Sequence, residues 1–400
     1  MQRSSRYERP IVKLRPKRGG RFFAGAPWIY KDEIAFDRRT KMLAPGAIAT
    51  LVDKDQQAVA AIAFNAASGI AARVLDRNPA VEIDAHWIEQ KLRAALSIRT
   101  RLYKDPFYRL CHAEGDGLPG LVIDRYGDAV VVQPNAAWTE ARRTQILAAI
   151  DVVLAPKTIV WNGSSRGRAL EGLDETIRVM KGAAVQPVIT PMNGAVYLAD
   201  IVGGQKTGCY FDQRDTHAFV AALAQGRRLL DVFCHIGGFS LAALAAGADQ
   251  AVAIDGSESA LAAAIKAAES MGVAEKIEAR RGDAFDLMRA AVNAGERFDI
   301  VVCDPPAFAP SRQARQSGLR AYEKTARLGV SLTAQGGVFA FCSCSQSVSQ
   351  ADLEEIAQYV LRKARRSGRL LRAGGAGADH PVHPALPETR YLKTLVYRLD

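Results

Sequence analysis

The sequence predicts an α/β protein whose C-terminal half folds as a doubly wound sheet of mainly parallel strands. From about Arg227 onward, short apolar runs alternate with segments of helical apolar spacing. This rhythm is typical of right-handed strand–helix–strand units. At 400 residues the chain is also too long for one core of ordinary size, so we expect two or three domains.

The first two predicted domains are small. Residues 1–80 form a β domain of barrel-like length, with strands at residues 48–53, 58–63 and 71–75. Residues 81–195 form a mixed α+β domain, with helices near residues 83–104 and 139–154. Its predicted strands flank the turn Arg125-Tyr126-Gly127-Asp128 and recur near residues 158–161 and 195–199.

The third predicted domain, residues 196–400, carries the alternating pattern. Strands are predicted at residues 229–233, 251–254, 277–281, 298–303 and 338–342. Helices are predicted at residues 239–246, 258–271, 284–294, 319–332 and 350–366. Ligands of such sheets bind at the carboxyl ends of the strands, so the residues that follow each strand are the first candidates for a site.

Composition and charge narrow the class of protein. A hydrophobic content of 48% with 24% charged residues is typical of a soluble globular protein. There is no apolar stretch of membrane-span length and no signal peptide, and the six cysteines are scattered, so we expect a cytoplasmic protein without membrane contact. Residues 1–41 carry twelve basic and four acidic side chains, most of the net charge of +11. This excess favours contact with nucleic acid over a merely solvated basic tail.

The turn after the first strand of the third domain predicts a nucleotide-type pocket. Asp231 lies in that strand, and Cys234-His235-Ile236-Gly237-Gly238 follows it. Glycines let a ligand approach the backbone closely, but the turn lacks the G-x-G-x-x-G pattern of dinucleotide-binding loops. The pattern therefore disfavours a nicotinamide cofactor and fits S-adenosylmethionine, which carries no phosphate.

Acidic residues also follow the next two strands. Asp255 ends the second strand, where an acid can hydrogen-bond both ribose hydroxyls. Asp283 follows the third strand, where a carboxylate can hold the adenine amino group. Helix capping or turn chemistry is the competing role for Asp231 and Asp255.

The ends of the fourth and fifth strands supply the reactive groups. Asp304-Pro305-Pro306-Ala307-Phe308 follows the fourth strand, and Ser343-Cys344-Ser345 follows the fifth. A thiolate that adds to C6 of cytosine makes C5 reactive enough to accept a methyl group, and cysteine suits that role. Asp304 fits the N3/N4 edge of the base, and Phe308 can stack on a base taken out of its RNA stack.

A second chemistry and purely structural roles are also open for these residues. Methylation of an exocyclic amine uses a similar Asp-Pro-Pro-aromatic turn and needs no cysteine, although the aromatic residue comes one position late here. Cys303 and Cys342 are predicted to be core residues. Zinc binding by Cys342 and Cys344 with two histidines is disfavoured by the short cysteine spacing, so no metal is predicted.

The motifs together resemble the RlmI-type S-adenosylmethionine-dependent methyltransferases, which form 5-methylcytosine in 23S ribosomal RNA. The matching stretches are Gly115-Asp116-Gly117-Leu118-Pro119-Gly120, Lys206-Thr207-Gly208-Cys209-Tyr210-Phe211-Asp212-Gln213-Arg214, Gly237-Gly238-Phe239, Asp304-Pro305-Pro306, Ser343-Cys344-Ser345, Ala378-Asp379-His380-Pro381 and Tyr391-Leu392-Lys393. This resemblance implies an N-terminal PUA-like β-barrel that binds RNA, a central α+β domain and a C-terminal Rossmann-like class I methyltransferase domain.

The resemblance also implies residue roles. Cys344 is the implied nucleophile, and Asp304 is the acid that contacts the base. The implied cofactor-binding residues are Phe211, Gln213, Asp231, Phe233, Gly237, Gly238, Phe239, Asp255, Gly256, Ser257, Asp283, Ala284, Asp304 and Pro305. The implied substrate-binding residues are Lys206, Arg214, Pro306 and Phe308. Ala307 stands where some members carry lysine, so that amine is absent here.

The leading hypothesis is a cytoplasmic RNA (cytosine-C5) methyltransferase that uses S-adenosylmethionine and acts on 23S ribosomal RNA. One alternative is an RNA methyltransferase for an exocyclic amine or guanine, without a cysteine nucleophile. Another is a noncatalytic RNA-binding ribosome assembly factor that retains a cofactor pocket. The sequence leaves monomer and homodimer both open.

Overall fold

The computed structural model describes residues 9–184, 186–204 and 207–400. The chain divides into two compact units. The N-terminal unit extends up to Gln186 and includes Ile201–Gly208 and Ala378–Thr389; the C-terminal unit comprises Pro187–Asp200, Cys209–Gly377 and Arg390–Asp400. The division into three domains with boundaries after residues 80 and 195 stays a prediction.

The N-terminal unit begins with a six-stranded sheet. Its elements are β1 (Ile11–Leu14), α1 (Gly20–Phe23), β2 (Trp28–Ile29), β3 (Ile34–Ala35), α2 (Arg38–Lys41), β4 (Ala47–Val52), β5 (Ala58–Phe64) and β6 (Ala72–Asp76). The strand order is β2-β6-β5-β4-β1-β3. Strands β1 and β4 are parallel and the other neighbours are antiparallel. Apolar side chains that alternate along β4 and β5, such as Leu51 and Ile62, form its core.

The N-terminal unit also contains a five-stranded sheet and two long helices. Its elements are α3 (Ala85–Leu102), β7 (Phe107–His112), β8 (Leu121–Tyr126), β9 (Ala129–Pro134), α4 (Ala137–Ala141), α5 (Arg143–Leu154), β10 (Thr158–Asn162) and β11 (Ile177–Lys181). The strand order is β11-β10-β9-β8-β7. Asp84 caps α3 by accepting a hydrogen bond from the Trp87 amide at 2.8 Å. The apolar faces of α3 and α5 share one core with the sheet.

A late segment of the chain, Ala378–Thr389, belongs to the N-terminal unit. Arg99 forms a two-pronged ion pair with Asp116, both bonds 2.7 Å long, and also donates to the Asp379 carbonyl at 2.9 Å. The Arg109 amide donates to the Asp379 carboxylate at 3.0 Å, and His380 Nδ1 lies 2.8 Å from the same carboxylate. This buried polar network holds the segment in place.

The C-terminal unit contains the doubly wound sheet. Its elements are β12 (Val188–Met192), β13 (Ala195–Ala199), α6 (Arg214–Ala221), β14 (Arg228–Val232), α7 (Gly238–Ala245), β15 (Gln250–Asp255), α8 (Glu258–Ser270), β16 (Ile277–Arg281), α9 (Ala284–Asn293), β17 (Phe298–Cys303), α10 (Arg315–Leu332), β18 (Thr333–Ser343), α11 (Gln350–Lys363), β19 (Gly368–Gly374) and β20 (Lys393–Leu399). Strands β12 and β13 form a separate hairpin.

The strand order of the large sheet is β16-β15-β14-β17-β18-β20-β19. The first five strands are parallel, as their alternation with helices predicts, whereas β20 and β19 are antiparallel additions that the sequence pattern did not predict. Helices cover both faces, with α9, α10 and α11 contributing to one core and α6 and α7 to the other. The predicted α/β fold is therefore confirmed. None of the described helices is long and apolar enough to cross a membrane.

Candidate active site

The turn between β14 and α7 forms a cradle at the carboxyl end of the sheet. Phe233, His235 and Gly237 all have positive φ, at 66°, 51° and 79°. Such a run of left-handed residues turns the backbone tightly, and two of the three lack the freedom of glycine. A Cβ added at Gly237 would lie 3.1 Å from the Ala264 side chain, and this tight contact together with the positive φ favours glycine there.

Asp231 lies fully buried beneath this cradle. Its Oδ2 accepts hydrogen bonds from the Ser240 amide and hydroxyl, both at 2.9 Å, while Oδ1 has no partner among the described residues. Burial raises the pKa of Asp231 to about 6, because the apolar surroundings disfavour the charged form. A buried carboxylate with one unused acceptor fits a ligand that carries an ammonium group, such as the methionyl part of S-adenosylmethionine.

Asp255, at the end of β15, ties the cradle to the next helix. One carboxylate oxygen accepts the His235 amide at 2.9 Å, and the other accepts the Ser257 amide at 2.8 Å. Asp255 therefore does stabilise the turn, which was the alternative to its predicted role in cofactor binding. A carboxylate has about four acceptor sites, so the predicted contact with ribose hydroxyls remains compatible with this geometry. Ser257 caps α8, and Gly256 is exposed beside it.

Three other residues predicted to contact the cofactor, Asp283, Ala284 and Phe239, differ in their exposure to solvent. Asp283 is exposed and caps α9 by accepting the Asp286 amide at 3.0 Å. The side chains of Ala284 and Phe239 lie in the core, with the Phe239 ring 4.4 Å from that of His217. This packing leaves the main chain as the part of Ala284 and Phe239 that can face a ligand.

Asp304 follows β17 and is held from the side by Gln213. Gln213 Nε2 donates to Asp304 Oδ2 at 2.9 Å. Gln213 and Phe211 are buried, and the Arg214 guanidinium lies 5.5 Å from the centre of the Phe211 ring. Arg214 itself is buried, and this burial does not favour a contact with RNA. The predicted RNA contact of Arg214 stays a prediction.

Tyr210 was not among the predicted site residues, although it lies in the middle of them. Its ring is 4.8 Å from that of His235. Burial raises the pKa of the Tyr210 hydroxyl, and Asp212, Asp304 and Cys344 raise it further. This coupling indicates that the turn before α6, the Asp304 loop and Cys344 share one site. The stretch Gly208-Cys209-Tyr210-Phe211 contained the signal, because it was part of the matching motif.

Cys344 follows the last residue of β18. Among the six cysteines, all within the described residues, Cys344 is the one that is not buried. Cys303 and Cys342 are completely buried, and burial raises the pKa of both thiols. A buried thiol with a raised pKa is a poor nucleophile, so burial disfavours Cys303 and Cys342 as nucleophiles, and Cys344 is the accessible thiol of this region.

Hydroxyl groups connect the Cys344 turn to the Asp304 loop. Ser343 Oγ donates to the Tyr322 hydroxyl at 2.8 Å, and that hydroxyl lies 2.8 Å from Ser345 Oγ. Ser345 Oγ in turn accepts the Ala309 amide at 3.0 Å. Ser343, Tyr322 and Ser345 are all completely buried. The network therefore fixes both neighbours of Cys344 to the loop that carries Asp304.

Phe308 lies in an aromatic cluster. Its ring stacks on Phe285 at 6.0 Å and lies 6.2 Å from Phe233 and 5.0 Å from Tyr322. Its proposed stacking on an RNA base stays a prediction, and the ring already has three aromatic neighbours. Pro305 is buried and Pro306 is exposed. Lys206 lies outside the described residues. In the part of the chain that the structure describes, no three His, Cys, Asp or Glu residues are grouped to hold a metal.

Two family models match this chain. Residues 12–77 match a PUA-like domain, and residues 172–368 match an S-adenosylmethionine-dependent methyltransferase. The ribosomal RNA large subunit methyltransferase I of Aeromonas hydrophila is 35% identical over 378 residues, which cover 93% of this chain and 95% of that protein. The protein of the same name from Shigella boydii serotype 18 is 32% identical over 380 residues, with the same coverage. The chain belongs to the ribosomal RNA large subunit methyltransferase I family.

Solved structures confirm the fold of this family member. A candidate S-adenosylmethionine-dependent methyltransferase from Streptococcus mutans has a TM-score of 0.82 at 17% identity, covering 97% of this chain and 100% of its own. A second structure, complexed with SAH, has the same TM-score and identity and covers 97% of this chain and 99% of its own. The methyl donor is S-adenosylmethionine. The glycine turn fits it, as does the Asp231 oxygen that has no partner among the described residues.

Proposed function

We propose that this protein methylates C5 of a cytosine in 23S ribosomal RNA and that Cys344 is the nucleophile. The names of its relatives support ribosomal RNA as the substrate. The observation that carries the cytosine-C5 chemistry is the position of Cys344, a half-buried thiol beside the Asp304 loop, in a protein whose other cysteines are buried.

The proposed reaction uses Cys344 twice. Its thiolate adds to C6 of the cytosine, and the electron pair of the C5–C6 double bond becomes available at C5. S-adenosylmethionine supplies an electrophilic methyl group on a sulfonium sulfur. After C5 has taken the methyl group, a base removes the C5 proton, the C6–S bond breaks, and the thiolate of Cys344 is restored.

Asp304 orients the base in this proposal. Gln213 donates to one carboxylate oxygen of Asp304 at 2.9 Å and so restrains the carboxylate, which is proposed to contact the N3/N4 edge of the cytosine. The buried Pro305 ring behind it locks φ and stiffens the loop. A fixed contact lowers the entropy cost of aligning the base with the thiol.

The N-terminal sheet supports RNA as the substrate. The basic residues Arg15, Lys31 and Lys41 are exposed, and they line one groove together with Phe36. Cations beside an aromatic ring suit a nucleic-acid backbone with an unpaired base. The PUA-like match covers the same region.

The test is a covalent trap. RNA with 5-fluorocytosine at the target position has no C5 proton to lose, so the Cys344 adduct should persist and migrate as a protein–RNA complex in denaturing gels. Cys344→Ala should abolish the complex, and Cys342→Ala, the matched control, should retain it. Normal methylation by Cys344→Ala, with the methyl group on an exocyclic amine or on guanine, would overturn the proposal.

A further inference from the structure

Lys393 is a buried lysine directly behind the Cys344 turn. It begins β20, and in the antiparallel register it lies opposite Ser343, the last residue of β18. Only 6% of Lys393 is exposed. The register therefore fixes a cationic side chain one residue away from Cys344.

The Lys393 ammonium group is bound to the backbone of this turn. Nζ donates to the Ser345 carbonyl at 2.5 Å and to the Tyr391 carbonyl at 2.7 Å. The first bond holds the residue after Cys344, while the Tyr322 hydroxyl holds the serines on both sides of it. Two of the three ammonium protons are thus used for positioning the turn.

The Cys344 thiolate is a suitable counter-charge for the Lys393 ammonium group. The groups that face it are Cys344 and, from α11, Asp352, and both favour the charged form of the lysine. Asp352 is already paired with Arg315 at 2.7 Å and caps α11 through Ser349. Tyr322 of α10 and Tyr210 also interact with Cys344. Among the described residues, Lys393 forms no ion pair with a carboxylate.

We propose that Lys393 is a positioning residue that fixes the Cys344 turn through the Ser345 carbonyl and stabilises the Cys344 thiolate with its ammonium charge. The inference rests on the proposed function, because it gives Cys344 the role of the nucleophile. The thiol proton is released to solvent before the attack. Burial lowers the pKa of Lys393 to about 8, so the ammonium form prevails at neutral pH and is lost above it.

The test measures the acidity of Cys344 without any RNA. The full-length protein is alkylated with iodoacetamide between pH 6 and pH 10, and modification of the Cys344 peptide is followed by mass spectrometry. The wild-type thiol should titrate below the ordinary value of about 8.5 for a free cysteine. Lys393→Met should raise the titration midpoint by roughly one unit, and so slow alkylation about tenfold at pH 7 without changing the plateau rate.

Two further variants separate charge from structure. Lys393→Arg keeps the cation and should restore most of the alkylation rate at pH 7. Lys266→Met removes an exposed lysine of α8 and should leave the profile unchanged. An unchanged titration midpoint in folded Lys393→Met would overturn the proposal. So would a wild-type midpoint at or above about 8.5, which needs no variant to fold.

The outcome is distinguishable from a failure of the proposed function. A shifted thiol titration together with methylation at another atom would support Lys393 and reject cytosine-C5 chemistry. Formation of 5-methylcytosine with an unshifted titration would support cytosine-C5 chemistry and reject the role of Lys393. On the true substrate, Lys393→Met should lower kcat about tenfold at pH 7, in proportion to the thiolate fraction, and leave the KM for S-adenosylmethionine unchanged.

Discussion

Replacing Tyr322 with phenylalanine removes one oxygen atom from the centre of the hydroxyl network. The ring keeps its contacts, 5.0 Å from Phe308 and 6.1 Å from Phe341, so no cavity larger than the oxygen is created. Two hydrogen bonds of 2.8 Å, to Ser343 and Ser345, are lost. At about 1 kcal/mol for each neutral bond, and with both serines completely buried, we expect a loss of about 2 kcal/mol.

Amide hydrogen exchange is the suitable assay for this loss. All four tryptophans (Trp28, Trp87, Trp138 and Trp161) lie in the N-terminal unit, so tryptophan fluorescence does not report on the network. A loss of about 2 kcal/mol corresponds to roughly 30-fold faster exchange for amides that open with the C-terminal core. We expect this acceleration in peptides from β17 and β18, together with a lower kcat because the Cys344 turn is less fixed.

Tyr397→Phe is the matched control for this variant. Tyr397 is a buried tyrosine of β20 in the same hydrophobic cluster, and no hydrogen bond of its hydroxyl is found among the described residues. It should change exchange by less than a few-fold. In the double variant Tyr322→Phe/Ser345→Ala, the two losses should be less than additive, because both remove the same bond. Exchange in Tyr322→Phe within twofold of wild type, or full additivity, would refute the reasoning.

Two more predictions concern buried charges. Arg99→Met should cost about 3–5 kcal/mol, because it leaves the buried Asp116 carboxylate without its charged partner, and urea unfolding followed by tryptophan fluorescence measures this loss. Arg93→Met, on an exposed arginine of the same helix, should cost less than about 1 kcal/mol, and equal losses would contradict the prediction. Because the pKa of Asp231 is raised to about 6, binding of a cofactor ammonium group must release its proton below that pH. Calorimetry should therefore show S-adenosylmethionine affinity rising with pH up to about 6 and levelling off above it. Asp231→Asn should bind more weakly with a flat profile, and a flat wild-type profile would argue against a contact with the ionised carboxylate.

The parallel half of the large sheet could be predicted because its signal is local. Each of its first four strands is short and is followed by a helix, and the predicted range 298–303 coincides with β17, Phe298–Cys303. The antiparallel strands β19 and β20 have no such signal. They lie at the edge of the sheet, and the segment between them belongs largely to the other unit. When tertiary packing determines which strands pair, the spacing of apolar residues along the sequence does not predict the pairing.

The places of the candidate site residues in the fold could be predicted where they depend on position along the chain. Asp231, Asp255 and Asp304 all lie at strand ends, as predicted. The direction of a side chain is set by its neighbours, and here the sequence was less informative. Phe239 and Ala284 point into the core, and Phe308 packs among three aromatic rings. Tyr322 and Lys393 approach the site from elements far from Cys344 in sequence.

Segments from both ends of the C-terminal unit hold the edge of the sheet that carries Asp304 and Cys344. Gln213, before the first strand of the sheet, holds Asp304. Lys393, at the start of the last strand, holds the turn of Cys344. Tyr391, two residues earlier, donates to the Asp212 carboxylate at 2.5 Å and so connects the two segments. Because Cys344 and Asp304 follow adjacent parallel strands, the sheet fixes their spacing, and these outer segments restrain their orientation together with the hydroxyl network of Tyr322. Variants at Gln213 and Lys393 should therefore impair catalysis while leaving the fold of the sheet intact.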